Sequence, residues 1–528
     1  MKLNKYLLLF SISAIFCIFI SFYALDKRFI GKDQESHFYD MKKYYENKEF
    51  PTMGARFVST DAETSPKVPG GFYYILYTLF YSIGNENLFN AKIINLIFNL
   101  IILFIFMFWI YRRFGLFVLS VMSPIIMLNG YLIMAVTDFW NPNVTLVFSL
   151  LFFIFLYEYL DKNNNEKMIK ISAVIIFPIL ALMAQGHMVV FFSMVPTLIV
   201  YLIIRFKNTK KYILFWTIGV FISFLLYLPY LLHEIKTGFL NVQYAMNMRG
   251  GLSSVPFAQV YALILFPTNE ISALFSTRIG SFIYYWFSKP MYFYGLIFLV
   301  ISIVFSIFTF IRSFVFLLKR KNISNDKEKI LKELIFILFL FIPVTIISFI
   351  VFRSKSGTFH YLYSAYSISF TPILLFFVQN EDKLKNNRKY FNITAIILLL
   401  NLFAMSGELI RYWKLFEEPR NYKSFAALLN IIENDSNGEE IKIYDSFSGV
   451  LRGQNKDIFD TYFPNNKLKY SEDAKLTYII KDNITEKNWD SNRNYNDMKY
   501  IFDNNAIFLT NTKGFSIYKF YNNKKEYK

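Results

Sequence analysis

Two carboxylates separated by one residue, Asp33 and Glu35, stand just past a long apolar run that ends near Leu25. Alternate residues of an extended chain share a face, so both acids would point at one substrate. A carboxylate in a partly desolvated cleft suits general-base work; the competing reading is ordinary loop charge in water. Asp138 and Asn141 lie in Thr137-Asp138-Phe139-Trp140-Asn141-Pro142-Asn143, between two apolar runs. Polar groups at that depth are costly and tend to be functional, although Asp or Asn ahead of Pro is also an ordinary helix start.

The histidines are His37, His187, His233 and His360, and each falls in or beside a connection on one predicted side of the membrane. With Glu35 or Glu234 they offer ligand types for a divalent metal. No H-x-x-x-H spacing supports one, and interfacial hydrogen bonding or contact with an anionic substrate is the plainer reading. No cofactor is certain; the metal candidates are Glu35, His37, His187 and His360. Lys67, Lys92, Arg249, Arg353 and Lys355 are basic residues of the same side and suit a phosphate clamp. Taken singly, each reads as a snorkelling interfacial charge. The sequence holds no Walker loop, dinucleotide fingerprint, nucleophile elbow or Cys-rich metal pattern, so an activated lipid substrate is the expected energy source rather than a nucleotide.

The elements that position these residues are membrane helices. The chain has 528 residues, 55% hydrophobic and 20% aromatic. Its apolar runs reach the roughly 20 residues that cross a bilayer as a helix, and unbroken runs exclude a barrel. About eleven spans are expected: Tyr6–Leu25, Leu88–Ile110, Gly115–Ala135, Pro142–Leu160, Met168–Gln185, Met188–Ile204, Tyr212–Leu232, Tyr292–Leu318, Leu334–Phe352, Tyr361–Val378 and Phe391–Ser406. The net charge of +18 sits mostly in short loops, which with an inward N-terminus are all cytoplasmic. It is a topology signal, not a nucleic-acid site. The single cysteine, Cys17, lies inside the first span and excludes a disulfide within the chain. An odd number of spans places the C-terminus outside.

Between the first two spans runs a polar loop of about sixty residues, far longer than most connections. Helices are expected over Glu35–Asn47 and over Gly70–Gly84, the second lying at the membrane surface with its Tyr and Phe in the interface. Residues 1–410 form the expected membrane domain. Residues 411–528 form a small extracytoplasmic α/β domain of about 110 residues, a common size, with strand-like runs at Ile441–Tyr444, Leu476–Ile480, Ala506–Leu509 and Phe515–Phe520 and a helical patch over Tyr422–Ile432.

Asp33-Gln34-Glu35 and Val68-Pro69-Gly70-Gly71-Phe72-Tyr73-Tyr74, with Trp140-Asn141-Pro142-Asn143, Gln185-Gly186-His187, Leu228-Pro229-Tyr230-Leu231-Leu232-His233-Glu234 and His360-Tyr361-Leu362, carry a resemblance. In order and topology they resemble lipid-linked-sugar glycosyltransferases of the GT-C class, in the bacterial branch that groups with protein O-mannosyltransferases and aminoarabinose transferases. The likeness covers the chain to about residue 410. That family has an adjacent Asp-Glu pair, whereas here Gln34 intervenes. The resemblance implies a membrane enzyme of the cytoplasmic membrane, with its active site facing outward. It would move a sugar from a polyprenyl phosphate to a glycan, lipid or protein acceptor by inverting transfer. It implies Asp33 as general base and Glu35 as a neighbour that orients the site or a metal. Lys67, Tyr73, Lys92, Asp138, Asn141, His187, Glu234, Arg249, His360 and Tyr361 become substrate-binding candidates. The competing readings are a transporter or flippase for lipid-linked sugars, which would favour repeated halves and broken helices, and an O-antigen polymerase or ligase, which would favour a large loop late in the chain.

Overall fold

The computed structural model describes residues 4–28, 32–57, 65–247, 258–268, 270, 292–319, 323, 325–352, 359–415, 421–445, 463, 466–471, 473–482, 505–512 and 515–521. Among them, eight helices are long and apolar enough to cross a bilayer, and ten if each of two bent pairs makes one span. The first is α1 (Lys5–Leu25), capped by the Asn4 side chain. After the outer loop comes α4 (Leu88–Phe114), capped by Asn87 and closed by Gly115 at φ 90° with Arg112 and Arg113 in its last turn. The segment expected as one span over 115–135 is two helices, α5 (Leu116–Ile126) and α6 (Gly130–Val136), bent by 74°. Asn129 restarts the chain there: its Oδ1 accepts from Leu132 N–H and Tyr366 O–H, and its Nδ2 donates to the Phe266 and Thr268 carbonyls. That amide supplies a partner to a backbone N–H left over at the break and ties the break to two carbonyls of residues 266–268, as buried peptide groups require. Residues 359–379 are bent by the same angle. Met188–Ile204 is apolar but shorter than a span, so the helices alone do not fix the count at eleven.

Two further spans, α7 (Asn141–Leu160) and α8 (Glu166–Gly186), pack side by side and are tied at their ends near the loop. Asn141 Nδ2 donates to Gly186 O at 2.9 Å, and Thr145 Oγ1 donates to Met183 O at 2.8 Å. The helices Phe206–Lys236 and Phe293–Leu318 bury only 11% and 22% of their apolar windows inside the protein, as lipid-facing helices would.

The loop between α1 and α4 is a small folded layer. It contains α2 (Lys32–Glu46), an antiparallel pair β1 (Met53–Arg56) and β2 (Lys67–Pro69), and α3 (Phe72–Ile83). Both expected loop helices are present, but two details differ from the sequence reading. Asp33 and Glu35 sit in the first turn of a helix, not on an extended chain. The alternate-residue geometry of an extended chain therefore does not apply to them. The second difference is α3, which buries Tyr73, Tyr74, Tyr77 and Tyr81 inside the protein instead of presenting them to an interface. Phe38 and Met41 of α2 join them, and this cluster continues into the tail through Phe425, Ile443 and Ile517.

In the tail a helix, Tyr422–Ser436, lies on a five-stranded mixed sheet of order β4-β3-β5-β7-β6. Its strands are β3 (Glu440–Asp445), β4 (Lys469–Tyr470), β5 (Leu476–Asp482), β6 (Ile507–Thr512) and β7 (Phe515–Tyr521). β3 runs parallel to β4 and β5, and β7 is antiparallel to β5 and β6. Phe425 stacks on Phe515 across the helix–sheet interface at 6.0 Å, and Tyr422 stacks on Phe89 of α4 at 4.8 Å.

Candidate active site at the outer end of the bundle

The first turn of α2 meets the short connection between α6 and α7. Trp140 has extended dihedrals (φ −136°, ψ 130°) and precedes Pro142 at the start of α7. Trp140 Nε1–H donates to Asp33 Oδ2 at 3.1 Å, and Gln34 Nε2–H donates to Asp138 Oδ2 at 2.9 Å. Phe139 turns the other way and stacks on Tyr77 of α3 at 3.9 Å. Neither acid caps α7, and Asn141 instead ties α7 to α8.

Cations adjoin the acids. Arg28, just beyond α1, reaches Asp138 Oδ2 at 3.4 Å and Met134 Sδ at 2.8 Å. Its Nε is buried without a hydrogen-bond partner. Lys92, 4% exposed on the first turns of α4, is attracted by Asp138 and repelled by Arg28. Asn95 and Asn99 follow it on one face of α4, and both are buried. With Tyr73, Asp138, Trp140 and Asn143 they line a narrow cavity with room for little more than one water. The Asn95 Nδ2 is buried there unpartnered.

Trp140 also joins Asp33 to the histidine side of the site. Its ring meets His360 edge-on at 4.7 Å; His360 meets His187 at 5.2 Å, and His187 meets Tyr361 at 5.2 Å. Burial pushes the His187 imidazole from its ordinary 6.5 down to about 4. An unfolded chain binds that proton below 6.5, so His187 favours folding above 6.5 and this advantage is lost as pH falls towards 4. A melting series from pH 7 to 4 is expected to show a stability loss that His187→Asn reduces; an equal acid slope in both proteins would contradict this.

Asp33, Lys92, Asp138, His187, His360 and Tyr361 are therefore brought together. Tyr73 is one step removed: its hydroxyl pairs with His37 Nδ1 at 3.1 Å. Burial lowers the His37 pKa although Asp33, Asp40 and Asp138 pull it upward. Lys67 and Glu234 belong to a different junction. Lys67 pairs through its backbone with the Asn241 side chain, and Glu234 Oε2 accepts from Val242 N–H at 3.1 Å. Burial lowers the Lys67 pKa. His233 lies in the last turn of the Phe206–Lys236 span. Arg249, Arg353, Lys355 and the Glu35 side chain lie outside the described residues. Among the described residues no three His, Cys, Asp or Glu side chains converge as metal ligands.

Sequence reasoning missed Arg28, Gln34, Asn95 and Asn99 as site residues. A signal existed for the asparagines: Lys92, Asn95 and Asn99 recur at helical spacing inside an apolar run. The Trp140–Asp33 bond also yields a prediction. Trp140→Phe keeps the aromatic wall and removes the N–H. A hydrogen bond to a charged group contributes about 1.5–3 kcal/mol, so turnover should fall on the order of 10–100-fold with KM little changed. Steady-state kinetics of the two proteins check this, and equal kcat would show the bond to be idle.

No family model matches the sequence, and no curated protein matches it either. Solved structures do match. ArnT from Cupriavidus metallidurans in its apo state aligns at TM-score 0.50 with 9% identity, over 96% of this chain and 97% of that one. The same protein bound to undecaprenyl phosphate aligns at TM-score 0.50 with 12% identity, over 98% of both chains. The Archaeoglobus fulgidus oligosaccharyltransferase is more distant, at TM-score 0.47 and 10% identity, over 92% of this chain and 70% of that one, and the assignment of fold rests on the ArnT pair. The chain is a multi-pass membrane protein with the GT-C fold of ArnT.

Proposed function

We propose that this protein is a membrane glycosyltransferase that moves a sugar from a polyprenyl-phosphate donor to an acceptor hydroxyl on a surface glycan, lipid or protein. The observation that carries the reading is the Asp33 carboxylate, held by Trp140 at 3.1 Å beside Asp138, Arg28 and Lys92. The fold is one whose ArnT representative binds undecaprenyl phosphate. A carboxylate base beside cations is what attack on a phosphate-activated sugar requires.

In this reading the acceptor O–H gives its proton to Asp33 as the oxygen attacks the anomeric carbon in line. The bond from that carbon to the phosphate oxygen breaks, and the configuration inverts. The products are the glycosylated acceptor and a polyprenyl phosphate, whose growing charge Lys92 and Arg28 stabilise. Trp140 fixes the base, and His187, His360 and Tyr361 form the wall beyond it. The site faces outward from the cytoplasmic membrane, with the N-terminus inside, eleven crossings and the tail (411–528) outside beside the acceptor. A chelator titration of the activity separates this step from one that uses a divalent metal through Glu35.

The test is lipid and glycan analysis of host envelopes with and without the gene. Loss of one sugar from a surface molecule, with its polyprenyl-phosphate donor accumulating, supports transfer. The same loss of sugar with the donor trapped on the inner leaflet would favour a flippase, and unchanged glycans with no donor accumulating would contradict both readings.

A further inference from the structure

We propose that Gln34 is a positioning residue for the Asp33 base, acting through Asp138; the inference rests on the transferase reading above. Asp33 and Gln34 are consecutive in the first turn of α2, and the 138–140 connection grips both. Trp140 holds the Asp33 carboxylate at 3.1 Å, and Asp138 holds the Gln34 carboxamide at 2.9 Å. Asp138 is itself a fixed point. It is 4% exposed, its backbone carbonyl accepts from Asn143 Nδ2 at 3.1 Å, and Arg28 approaches the same Oδ2 at 3.4 Å. Phe139, between the two gripping residues, is stacked on Tyr77. The connection is thus anchored to α3 and to the start of α7, and α2 is docked onto it by two adjacent side chains.

The neutrality of Gln34 matters to this arrangement. Its amide N–H donates to Asp138 without adding a charge, where a carboxylate would face Asp138 with no proton to offer. Among the described residues, the charged and titratable groups around the pair are Arg28 after α1, His37 on α2, Tyr73 and Tyr77 on α3, Lys92 on α4, and His360 and Tyr361 beyond Trp140. A second carboxylate at position 34 would repel Asp138, loosen the turn and add negative charge near Asp33. Negative charge favours the protonated form of a base, so activity would be lost at a higher pH as the medium is acidified.

The experiment compares wild type, Gln34→Glu, Asp138→Asn and the exchange Gln34→Glu/Asp138→Asn, each purified and supplied with a solubilised envelope extract of a host strain lacking the gene, which holds the donor with lipid, glycan and protein acceptors. The readout is release of polyprenyl phosphate. Gln34→Glu is expected to lower kcat on the order of 10–100-fold, with KM within about 2-fold, and to move the acid limb of the pH profile upward. In the exchange an amide at 138 donates to a carboxylate at 34, so kcat should return to within about 5-fold of wild type. A purely structural role would lower yield and melting temperature without moving the acid limb or being rescued by the exchange. Wild-type kcat and an unmoved acid limb in Gln34→Glu, or an exchange no better than Gln34→Glu alone, would overturn the proposal. If Asp33→Asn is inactive while Gln34→Glu is unaffected, only this inference fails. If Asp33→Asn is fully active, the base assignment fails and takes this inference with it.

Discussion

Asp33→Asn should abolish sugar transfer while the protein accumulates normally. Removing a general base costs about 10²–10⁴-fold, and Asn keeps the shape of the side chain without the capacity to take a proton at neutral pH. Asp33 is half-buried and held by one identified donor, Trp140. The substitution leaves an amide oxygen able to accept that bond, so the local fold should persist. The check is kcat measured on purified wild type and variant with matched melting curves. A kcat within about 3-fold of wild type would remove Asp33 from the base role and direct attention to Asp138, the other carboxylate in the cluster.

The largest stability effect is expected at Gly71. A Cβ built there would collide with the carbonyl oxygen of Pro51, a backbone atom that cannot rotate away. The neighbouring turn has no slack. Gly70 takes φ 92°, a region that favours glycine, and a Cβ on it would collide with the Gln185 side chain. Gln185 is in turn committed: its Oε1 accepts from Phe72 N–H at 3.1 Å and its Nε2 donates to Leu226 O at 3.1 Å. That one side chain ties the start of α3 to two spans. Gly71→Ala must therefore shift β1 or α3, at about 3 kcal/mol, the upper end for overpacking. Because α3 carries Tyr73 and Tyr77 against the site, activity should fall along with melting temperature. Gly407→Ala is the control, since among the described residues its Cβ would meet only the Tyr294 hydroxyl at 3.6 Å. A Gly71→Ala protein as stable as that control would show that the turn yields more easily than its packing implies.

The membrane helices were legible because hydropathy over a span reports burial directly. The bend between α5 and α6 was less so. Pro124 and Asn129-Gly130 mark it in the sequence, but the run stays apolar throughout. The two loop helices were legible from composition, and α2 shows its helical spacing in Phe38 and Met41, both fully buried. Its first turn was not, because Asp33, Gln34 and Glu35 carry no apolar period. The placement of Asp33 and Gln34 depends on contacts with residues more than 100 positions away. Arg28 escaped notice for the same reason: locally it is the basic flank of a span, and only its approach to Asp138 gives it a role. In the tail, β3, β5, β6 and β7 coincide with strand-like runs. The two-residue β4 has no pattern to read, and local alternation does not encode whether strands pair parallel or antiparallel.

Whether this chain consumes a polyprenyl-phosphate sugar, with Asp33 taking the proton, is read by incubating the purified protein in lipid discs with a solubilised envelope extract of a host strain lacking the gene, which holds lipid, glycan and protein acceptors, and following the lipids by mass spectrometry. The account predicts that one polyprenyl-phosphate sugar disappears, free polyprenyl phosphate appears in equal amount, and neither change occurs with Asp33→Asn. Consumption of the donor at the same rate by both proteins would contradict the role of Asp33, and no change in any polyprenyl-phosphate sugar with active wild-type membranes would contradict the transferase itself.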